Sequence, residues 1–391
     1  MPSHQGPRPL APLYLAVFVA VLGFSLIAPF FPHYVMDFGA SYSMLGVIVS
    51  VYGAAQLLTQ IPVGRLSDRT GRKKILLLGL ATFSVLPILY IYAESAYSLL
   101  FIRTLGGIGA SAVWPIAMAL IIDQAEAGSR GAAMGWYNAS FFSALALGPL
   151  LGGVLYDHFG INAPFYLWSL LGIASFFMIL FHVAEPKTTK VQMSWTPQPT
   201  REALIAHGYR TTFLACSSVV LWAGVVGGFN FTMLPSFASS LGFKATDVGI
   251  IYMVYGGSTA LFNVYFGRQA DRGNRKMLIV VGCLAGAVSF AFLSLADALL
   301  TVSILFAGLG MGLGMAGPAA AALIADTTSV SRRGEVYGIF NTARMAGVVI
   351  GPLIAGSTAD LHGILGAVYV FTILATVITL GTLVVREPKR Y

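Results

Sequence analysis

The chain has 391 residues, of which 57% are hydrophobic and 10% are charged, and its mean hydropathy is +0.79. Soluble domains are about 45–50% apolar and about 25% charged, so a soluble fold could not cover its surface with this composition. Disorder is excluded as well, because so many apolar side chains would collapse. An integral membrane protein remains. Cys216 and Cys283 both lie in apolar runs, which indicates neither a disulfide framework nor a metal cluster.

A membrane-spanning helix needs about 20 mostly apolar residues, and the sequence contains twelve such runs. In chain order they cover 11–36, 44–64, 75–93, 97–122, 132–156, 163–183, 211–239, 247–267, 277–296, 298–325, 335–360 and 364–385. Several contain Gly and Pro, which membrane bundles tolerate. The sequence therefore predicts an all-α integral membrane protein with twelve transmembrane helices.

The lysines and arginines predict the orientation. With a cytoplasmic N-terminus, twenty of the 23 fall on the inner side and one on the outer side, while Arg103 and Arg344 lie within spans. Inner loops of membrane proteins carry such an excess of positive charge, so both termini are expected in the cytoplasm and the chain in the cell membrane. The net charge of +8 then reflects topology and contact with lipid headgroups, and nucleic acid is not an expected partner.

The two halves of the sequence repeat each other at a constant offset of 203 residues, without a gap, for more than 100 residues. The loop at 64–73 matches the loop at 267–276, and matching Pro, Asp and Asn residues follow in the same register. Two parallel halves are one of the known transporter plans. We therefore expect two parallel six-helix bundles at 1–183 and 209–391, joined by a polar cytoplasmic linker at 184–208.

Four motifs resemble those of the major facilitator superfamily, at the matching helices. The loop after the second helix reads GRLSDRTGRKK at 64–74, and its second copy reads GRQADRGNRK at 267–276. The fourth helix carries RTLGGIG at 103–109, the fifth carries GPLLGG at 148–153, and the first carries LG and PFFP within 22–32. The motif of the first helix resembles one of the twelve-helix drug:proton antiporters. The resemblance implies the fold of that superfamily.

The motif of the fifth helix is associated with antiporters and comprises Gly148, Pro149, Gly152 and Gly153. Ala144 replaces a glycine that the motif expects upstream. Glycines let helices pack closely in membranes. Both a static packing role and a surface that moves during alternating access remain open for these residues.

The resemblance implies that charge clusters latch the cytoplasmic side of the protein. Asp68 could accept hydrogen bonds from the amides at a helix N-terminus, and Arg72 could pair with Asp123. By symmetry, the second half offers the same partners. The alternative is that the basic residues only contact anionic headgroups. The expected latch comprises Gly64, Asp68, Arg72, Asp123, Asp271, Arg275 and Asp326.

Ionisable residues within spans are the first candidates for function, because a charge in lipid costs at least about 2.5 kcal/mol. Arg103 and Arg344 are such residues, whereas all fifteen acids fall near the predicted surfaces. A structural role for Arg103 and snorkelling of Arg344 are the alternatives. Proton coupling would then use groups near helix ends, for which His33 and Asp37 are candidates, unless they are ordinary helix caps.

Polar and aromatic side chains on the expected cavity helices are candidates for contact with the substrate. For residues that the repeat pairs, such as Asn138 with Asn341 and Tyr52 with Tyr255, packing between the two halves is the alternative. Besides the two arginines, these candidates are Tyr52, Gln56, Gln60, Asn138, Trp222, Asn230, Tyr252, Tyr255, Asn263 and Asn341.

The leading functional hypothesis is a secondary transporter that works by alternating access. The resemblance implies efflux of amphipathic or drug-like small molecules in exchange for protons, by a monomer without cofactor or metal. Transport of organic anions is the alternative, because two membrane arginines and no opposing carboxylate would make a cavity electropositive. The motifs of serine hydrolases, zinc peptidases and phosphate-binding loops do not occur, which argues against an enzyme. A receptor without flux is a third hypothesis.

Overall fold

The computed structural model describes residues 10–126, 128–185, 209–329 and 332–388, without the side chains of Asp271 and Arg333. Only residues 184 and 185 of the predicted linker fall within these ranges. Their regular elements are α-helices, which in chain order are α1 (Ala11–Ser25), α2 (Phe31–Met36), α3 (Tyr42–Thr70), α4 (Arg72–Ile91), α5 (Ala96–Gln124), α6 (Arg130–Phe159), α7 (Asn162–His182), α8 (Arg210–Thr232), α9 (Leu234–Ser240), α10 (Ala245–Arg272), α11 (Arg275–Leu293), α12 (Leu299–Asp326) and α13 (Arg333–Thr382).

Ten helices in the described ranges are long and apolar enough to cross a membrane, and α1 is a shorter apolar helix. The longest, α13, contains Gly363 at φ 74° and ψ 175°, with helix on either side of it. Glycine reaches this conformation because it lacks a Cβ. The described part of the chain is all-helical, as the apolar runs in the sequence predict.

The first predicted span, 11–36, consists of two helices. Helix α1 ends at Ser25, and a run of turns leads to α2. Pro29 and Pro32 have no N–H to donate, so a continuous helix would lose two backbone hydrogen bonds here. The Ser25 hydroxyl donates to the backbone oxygen of Ala144 on α6 at 3.2 Å, which holds the end of α1 against that helix.

The chain divides into two compact units. The first unit contains Met1–Phe38 and Val51–Gln192, and the second contains Gly39–Ser50 and Met193–Tyr391. The boundary at Ser50 assigns the first nine residues of α3 to the second unit and the rest of that helix to the first.

Each unit has its own apolar core. In the first unit, buried side chains of α1, α4, α5, α6 and α7 pack together, with Phe83 and Leu120 among the most buried. In the second unit, α8, α11, α12 and α13 supply the core, which includes Leu323 and both cysteines. Large apolar side chains also cover the outer faces of the helices, as expected of surfaces in contact with lipid.

Glycines bring helix backbones into direct contact in both units. In the first, a Cβ at Gly107 of α5 would overlap the backbone oxygen of Tyr52 on α3. In the second, a Cβ at Gly312 of α12 would overlap the backbone oxygen of Gly282 on α11. Small residues permit such close approach between helices in a membrane.

Candidate functional site

Arg103 lies on α5 within the first unit and is only 1% exposed. Its guanidinium carbon lies 4.0 Å from the ring centre of Phe31 and 5.5 Å from that of Tyr52. A cation over an aromatic ring is attracted to the negative face of that ring, and the attraction grows when water is excluded. The arginine therefore lies in an aromatic environment within one unit.

The rings of Phe31 and Tyr52 lie against this arginine and four further aromatic rings pack around them, and we call the six residues the N-terminal aromatic cluster. The ring of Phe24 stacks on Tyr52 with centroids 5.0 Å apart, and Tyr90 stacks between Phe165 at 5.2 Å and Trp168 at 6.0 Å. The cluster comprises Phe24, Phe31, Tyr52, Tyr90, Phe165 and Trp168. The sequence predicted Tyr52 but not the others, because they come from four helices that meet only in the tertiary structure.

Arg344 lies on α13 within the second unit, and its environment differs from that of Arg103. It is exposed in that unit. Its Nε and Nη2 atoms donate to Oδ1 of Asn341 at 3.4 and 3.3 Å. The spacing of three residues places both side chains on one helix face. The guanidinium therefore keeps donor capacity for a further acceptor.

Two further candidates, Trp222 and Asn230, belong to the interior of the second unit. Trp222 is 4% exposed and its ring centre lies 5.8 Å from those of Phe290 and Phe371. Asn230 is 3% exposed, and its backbone oxygen accepts a hydrogen bond of 2.6 Å from the Tyr252 hydroxyl. This part of α8 is thus packed tightly against its neighbours.

The other pathway candidates are distributed over both units. Gln56 and Gln60 are half-buried on α3, on the helix face that also carries Tyr52. Asn138 of α6 and Asn263 of α10 are exposed, and Tyr255 is half-buried. Among the candidates, direct contacts join Arg103 with Tyr52, Arg344 with Asn341, and Asn230 with Tyr252.

The two candidates for proton coupling lie at the end of α2. His33 is half-buried, and its backbone oxygen accepts a 2.9 Å hydrogen bond from the backbone N–H of Asp37. Asp37 is exposed just beyond the helix. Both groups are therefore close in space as well as in sequence.

At the predicted inner end of the first unit, Arg72 connects three helices. Its guanidinium donates to Asp68 of α3 at 3.1 Å and to Asp123 of α5, and also to the backbone oxygen of Ala119 at 3.4 Å. Asp68 thus binds the side chain of Arg72. Gly64 lies one turn before Asp68 on α3, and a Cβ there would meet no other atom.

The second unit repeats this arrangement. Arg275 donates to Asp326, to the backbone oxygen of Ala322 at 3.2 Å and to that of Ala270 at 2.8 Å. The repeat thus places Asp326 and Ala322 where the first unit has Asp123 and Ala119. The side chain of Asp271, the expected counterpart of Asp68, lies outside the described part.

A pair of glutamates at the same ends was not predicted. The carboxylate of Glu185 accepts hydrogen bonds from the backbone N–H groups of Arg72 at 2.7 Å and Lys73 at 3.0 Å, which begin α4. Glu387 accepts one from Lys276 at the start of α11. An anion at a helix N-terminus satisfies amides that have no partner in the helix. The signal was present, because a Glu-Pro pair follows the last span of each half.

The antiporter-type motif of α6 packs on the end of α1. A Cβ at Gly148 would overlap the hydroxyl of Ser25, and one at Gly152 would overlap the backbone oxygen of Leu26. Pro149 and Gly153 are buried on the same helix. The glycines are needed here because the broken first helix approaches so closely.

Ten helices within the described ranges are long and apolar enough to span a membrane, which defines the class of α-helical integral membrane proteins. The chain belongs to the Major Facilitator Superfamily, whose model matches residues 13–232 and 215–391. The resemblance found in the motifs is thereby confirmed.

Relatives of similar length support this assignment. The chain is 28% identical over 354 residues to the quinolone resistance protein NorA of Staphylococcus aureus strain MRSA252, covering 90% of this chain and 89% of that protein. It is 27% identical over 361 residues to an uncharacterised transporter of the superfamily from Methanocaldococcus jannaschii, covering 90% and 91%. The chain is therefore a multi-pass membrane transporter with a small-molecule substrate.

Solved structures share the fold. A bacterial homologue of the human lysosomal transporter Spinster, in an inward-facing and occupied conformation, has a TM-score of 0.81 at 16% identity and covers 96% of both chains. The human organic anion transporter MFSD10 has a TM-score of 0.67 at 18% identity, covering 97% of this chain and 100% of that one. Transporters of different substrates share this fold, so the fold does not select the substrate.

Proposed function

We propose that this transporter exports amphipathic, drug-like small molecules in exchange for protons. The observation that carries the proposal is the similarity to quinolone resistance proteins, which extends over nine-tenths of both chains. The N-terminal aromatic cluster supports it, because aromatic side chains suit substrates that are largely apolar with a few polar groups. The substrates we expect are neutral or anionic, since the sequence offers arginines within its spans and no carboxylate at mid-membrane.

The proposal includes twelve spans in two parallel six-helix bundles, at 1–183 and 209–391, in a monomer with both termini in the cytoplasm. Two observations support the number twelve. Helix α13 divides at Gly363 into two segments that each suffice to span, and α1 with α2 forms a broken span of its own. Together with the other nine long helices, these segments make twelve.

We assign the charge clusters around Arg72 and Arg275 to a latch on the cytoplasmic side that opens and closes during alternating access. The first pair is partly exposed, with side-chain exposure of 23% for Arg72 and 31% for Asp123. Water can therefore replace the partners when the cluster separates, which keeps the free-energy difference between the two states small.

Proton coupling in this proposal uses His33 and Asp37 near the outer end of the first span. The imidazole of His33 and the carboxylate of Asp37 belong to residues four positions apart, at the end of α2. Their position at the helix end gives access to the outer aqueous phase, consistent with entry of protons from outside.

The test uses purified protein in lipid vesicles with a fluorescent amphipathic compound and an imposed pH gradient. Accumulation that follows the gradient in size and sign is expected for the parent protein. The variants His33→Ala and Asp37→Asn should lose the dependence on the gradient, whereas Asp297→Asn, which changes an exposed acid elsewhere, should keep it. Transport that ignores the gradient in the parent would contradict proton exchange.

Organic anion transport is a second candidate, favoured by the exposed guanidinium of Arg344 and its single described partner Asn341. A charged side chain in a span lies against protein or water and not against lipid. Competition between an anionic and a cationic amphipath of similar size separates the two candidates. Preference for the anion that disappears in Arg344→Ala would favour this function.

A further inference from the structure

The first two turns of α3 are joined to the middle of α13 by contacts that the inner charge clusters do not explain. The carboxylate of Asp360 accepts hydrogen bonds from the backbone N–H groups of Tyr42, at 2.9 Å to Oδ1, and Ser43, at 2.8 Å to Oδ2. These amides lie in the first turn of α3, where an amide has no acceptor in its own helix. Each carboxylate oxygen thus binds one of them.

Small residues continue the contact along both helices. A Cβ at Gly356 would overlap the backbone oxygen of Tyr42, and one at Gly46 would overlap that of Pro352. Further along, the Ser50 hydroxyl donates to the backbone oxygen of Val349 at 2.6 Å.

We call this contact the outer seam. It comprises Tyr42, Ser43, Gly46 and Ser50 of α3, with Val349, Pro352, Gly356 and Asp360 of α13. From residue 42 to residue 50 it runs for about 12 Å along the helix, at 1.5 Å per residue.

The outer seam consists of close contacts between helix backbones and of hydrogen bonds to one charged group, the Asp360 carboxylate. Gly46 and Gly356 let the two helix backbones approach closely, and Ser50 adds a hydrogen bond between them. Asp360 itself is exposed. Because water can hydrate both the carboxylate and the α3 amides once they separate, the seam can open without leaving a buried polar group unpaired.

We infer that the Asp360 carboxylate is the clasp that holds the outer seam closed, and that its release from the α3 N-terminus is the step that opens the predicted outer side of this transporter. The inference rests on the alternating access of the proposed function. Asp360 is a positioning residue here, since it sets the position of α3 and does not touch the substrate. The helix dipole and the two charge-assisted hydrogen bonds favour the closed form.

Ser50 offers a probe of this step, because it lies at the deep end of the seam and is 4% exposed. The background protein carries Cys216→Ala and Cys283→Ala, which removes both native thiols, and Ser50→Cys introduces one. The readout is the labelling rate with a membrane-impermeant maleimide added to intact cells. In the background protein we expect slow labelling.

Asp360→Asn should raise the labelling rate by about tenfold, since bonds to an ionised acceptor are about twice as strong as neutral ones. Asp360→Glu should restore part of the effect, because it keeps the charge. Asp297→Asn, which removes another exposed acid on the predicted outer side, should leave the rate unchanged. Gly356→Ala, which forces α3 away from α13, should also raise it, and combination with Asp360→Asn should add little.

An unchanged rate in Asp360→Asn, with thermal unfolding like that of the background protein, would overturn the inference. So would an equal increase in Asp297→Asn. Labelling needs neither a transported compound nor a pH gradient. Failure of the drug-export proposal would therefore leave this result intact, and failure of the clasp would leave drug export intact.

Discussion

Each unit has its own inner charge cluster with the same arrangement, but the arginines within the membrane spans lie at different positions in the two units. Arg72 and Arg275, which the repeat relates, each donate to an aspartate on the corresponding helix and to a backbone oxygen four residues before it. Arg103 of the first unit, in contrast, corresponds to Phe306 in the second, and Arg344 corresponds to Phe141 in the first. The charge clusters therefore occur in both units, whereas each membrane arginine occurs in only one of them.

The comparison extends to the neighbours of Arg103. Its guanidinium lies 5.5 Å from Tyr52, and the ring of Phe306 lies 6.2 Å from Tyr255, the counterpart of Tyr52. The same position in the fold thus accepts an arginine in one unit and a phenylalanine in the other. This teaches that the helix packing does not require a cation there, and it points to a role for Arg103 beyond packing.

Replacement of Arg103 has the largest expected effect. Arg103→Ala leaves a cavity and should lower the free energy of unfolding by about 2–5 kcal/mol, as for other large buried side chains. Arg103→Phe, which introduces the residue found at the matching position of the second unit, should unfold at a higher temperature than Arg103→Ala and still lose transport. Thermal unfolding and vesicle uptake measure the two effects. Uptake by Arg103→Phe equal to that of the parent would make Arg103 a packing residue only.

The charge clusters should respond unequally to the same substitution. The side chain of Arg275 is 9% exposed and that of Arg72 is 23% exposed. Arg275→Ala should therefore lower the free energy of unfolding by about 1.5–3 kcal/mol, and Arg72→Ala by about 1 kcal/mol. Arg268→Ala, at an exposed position of the same loop motif, is the control. Equal melting temperatures for the two variants would show that exposure does not distinguish the units.

Arg344 should affect binding more than stability. Arg344→Ala should lower the free energy of unfolding by less than Arg103→Ala does, because Arg344 is exposed within its unit whereas Arg103 is only 1% exposed. The affinity for an anionic ligand should fall by about tenfold or more, as expected for a hydrogen bond to a charged group. Arg344→Lys keeps the charge and should retain part of the affinity. Titration of purified protein with matched anionic and neutral ligands provides the measurement, and equal losses for both ligands would argue against an anion site.

The glutamates at the helix N-termini should give the smallest effects. Glu185→Gln and Glu387→Gln each weaken one cap and should cost about 1 kcal/mol. The melting temperature should then fall by about 2–4 °C. Because Glu185 accepts from two amides at ordinary distances, its variant tests the cap most directly. A larger fall in transport than in melting temperature would indicate that the cap also takes part in the conformational change.

The pairing of Arg72 with Asp123 could be predicted from the sequence, although 51 residues separate them, because the repeat and the family motif both mark these positions. The structure places the two groups together. The cap formed by Glu185 was not predicted from the sequence, since an acidic residue beyond the end of a helix can have many roles. The hydrogen bonds from the start of α3 to Asp360 were not predicted either, because they join residues more than 300 positions apart.

The sequence alone was enough to identify the membrane class, the internal repeat and the superfamily, and it predicts the spans and the orientation. These follow from hydropathy, charge and local motifs, which depend on residues close together in the chain. The tertiary structure was needed to show that Arg103 lies against aromatic rings while Arg344 is exposed within its unit. It was also needed to show that the first span breaks after Ser25 and that Asp360 accepts hydrogen bonds from the start of α3. Each of these features depends on contacts between segments that are far apart in the chain. The free energies of burial and hydrogen bonding that stabilise such contacts depend on both segments and cannot be inferred from either one alone.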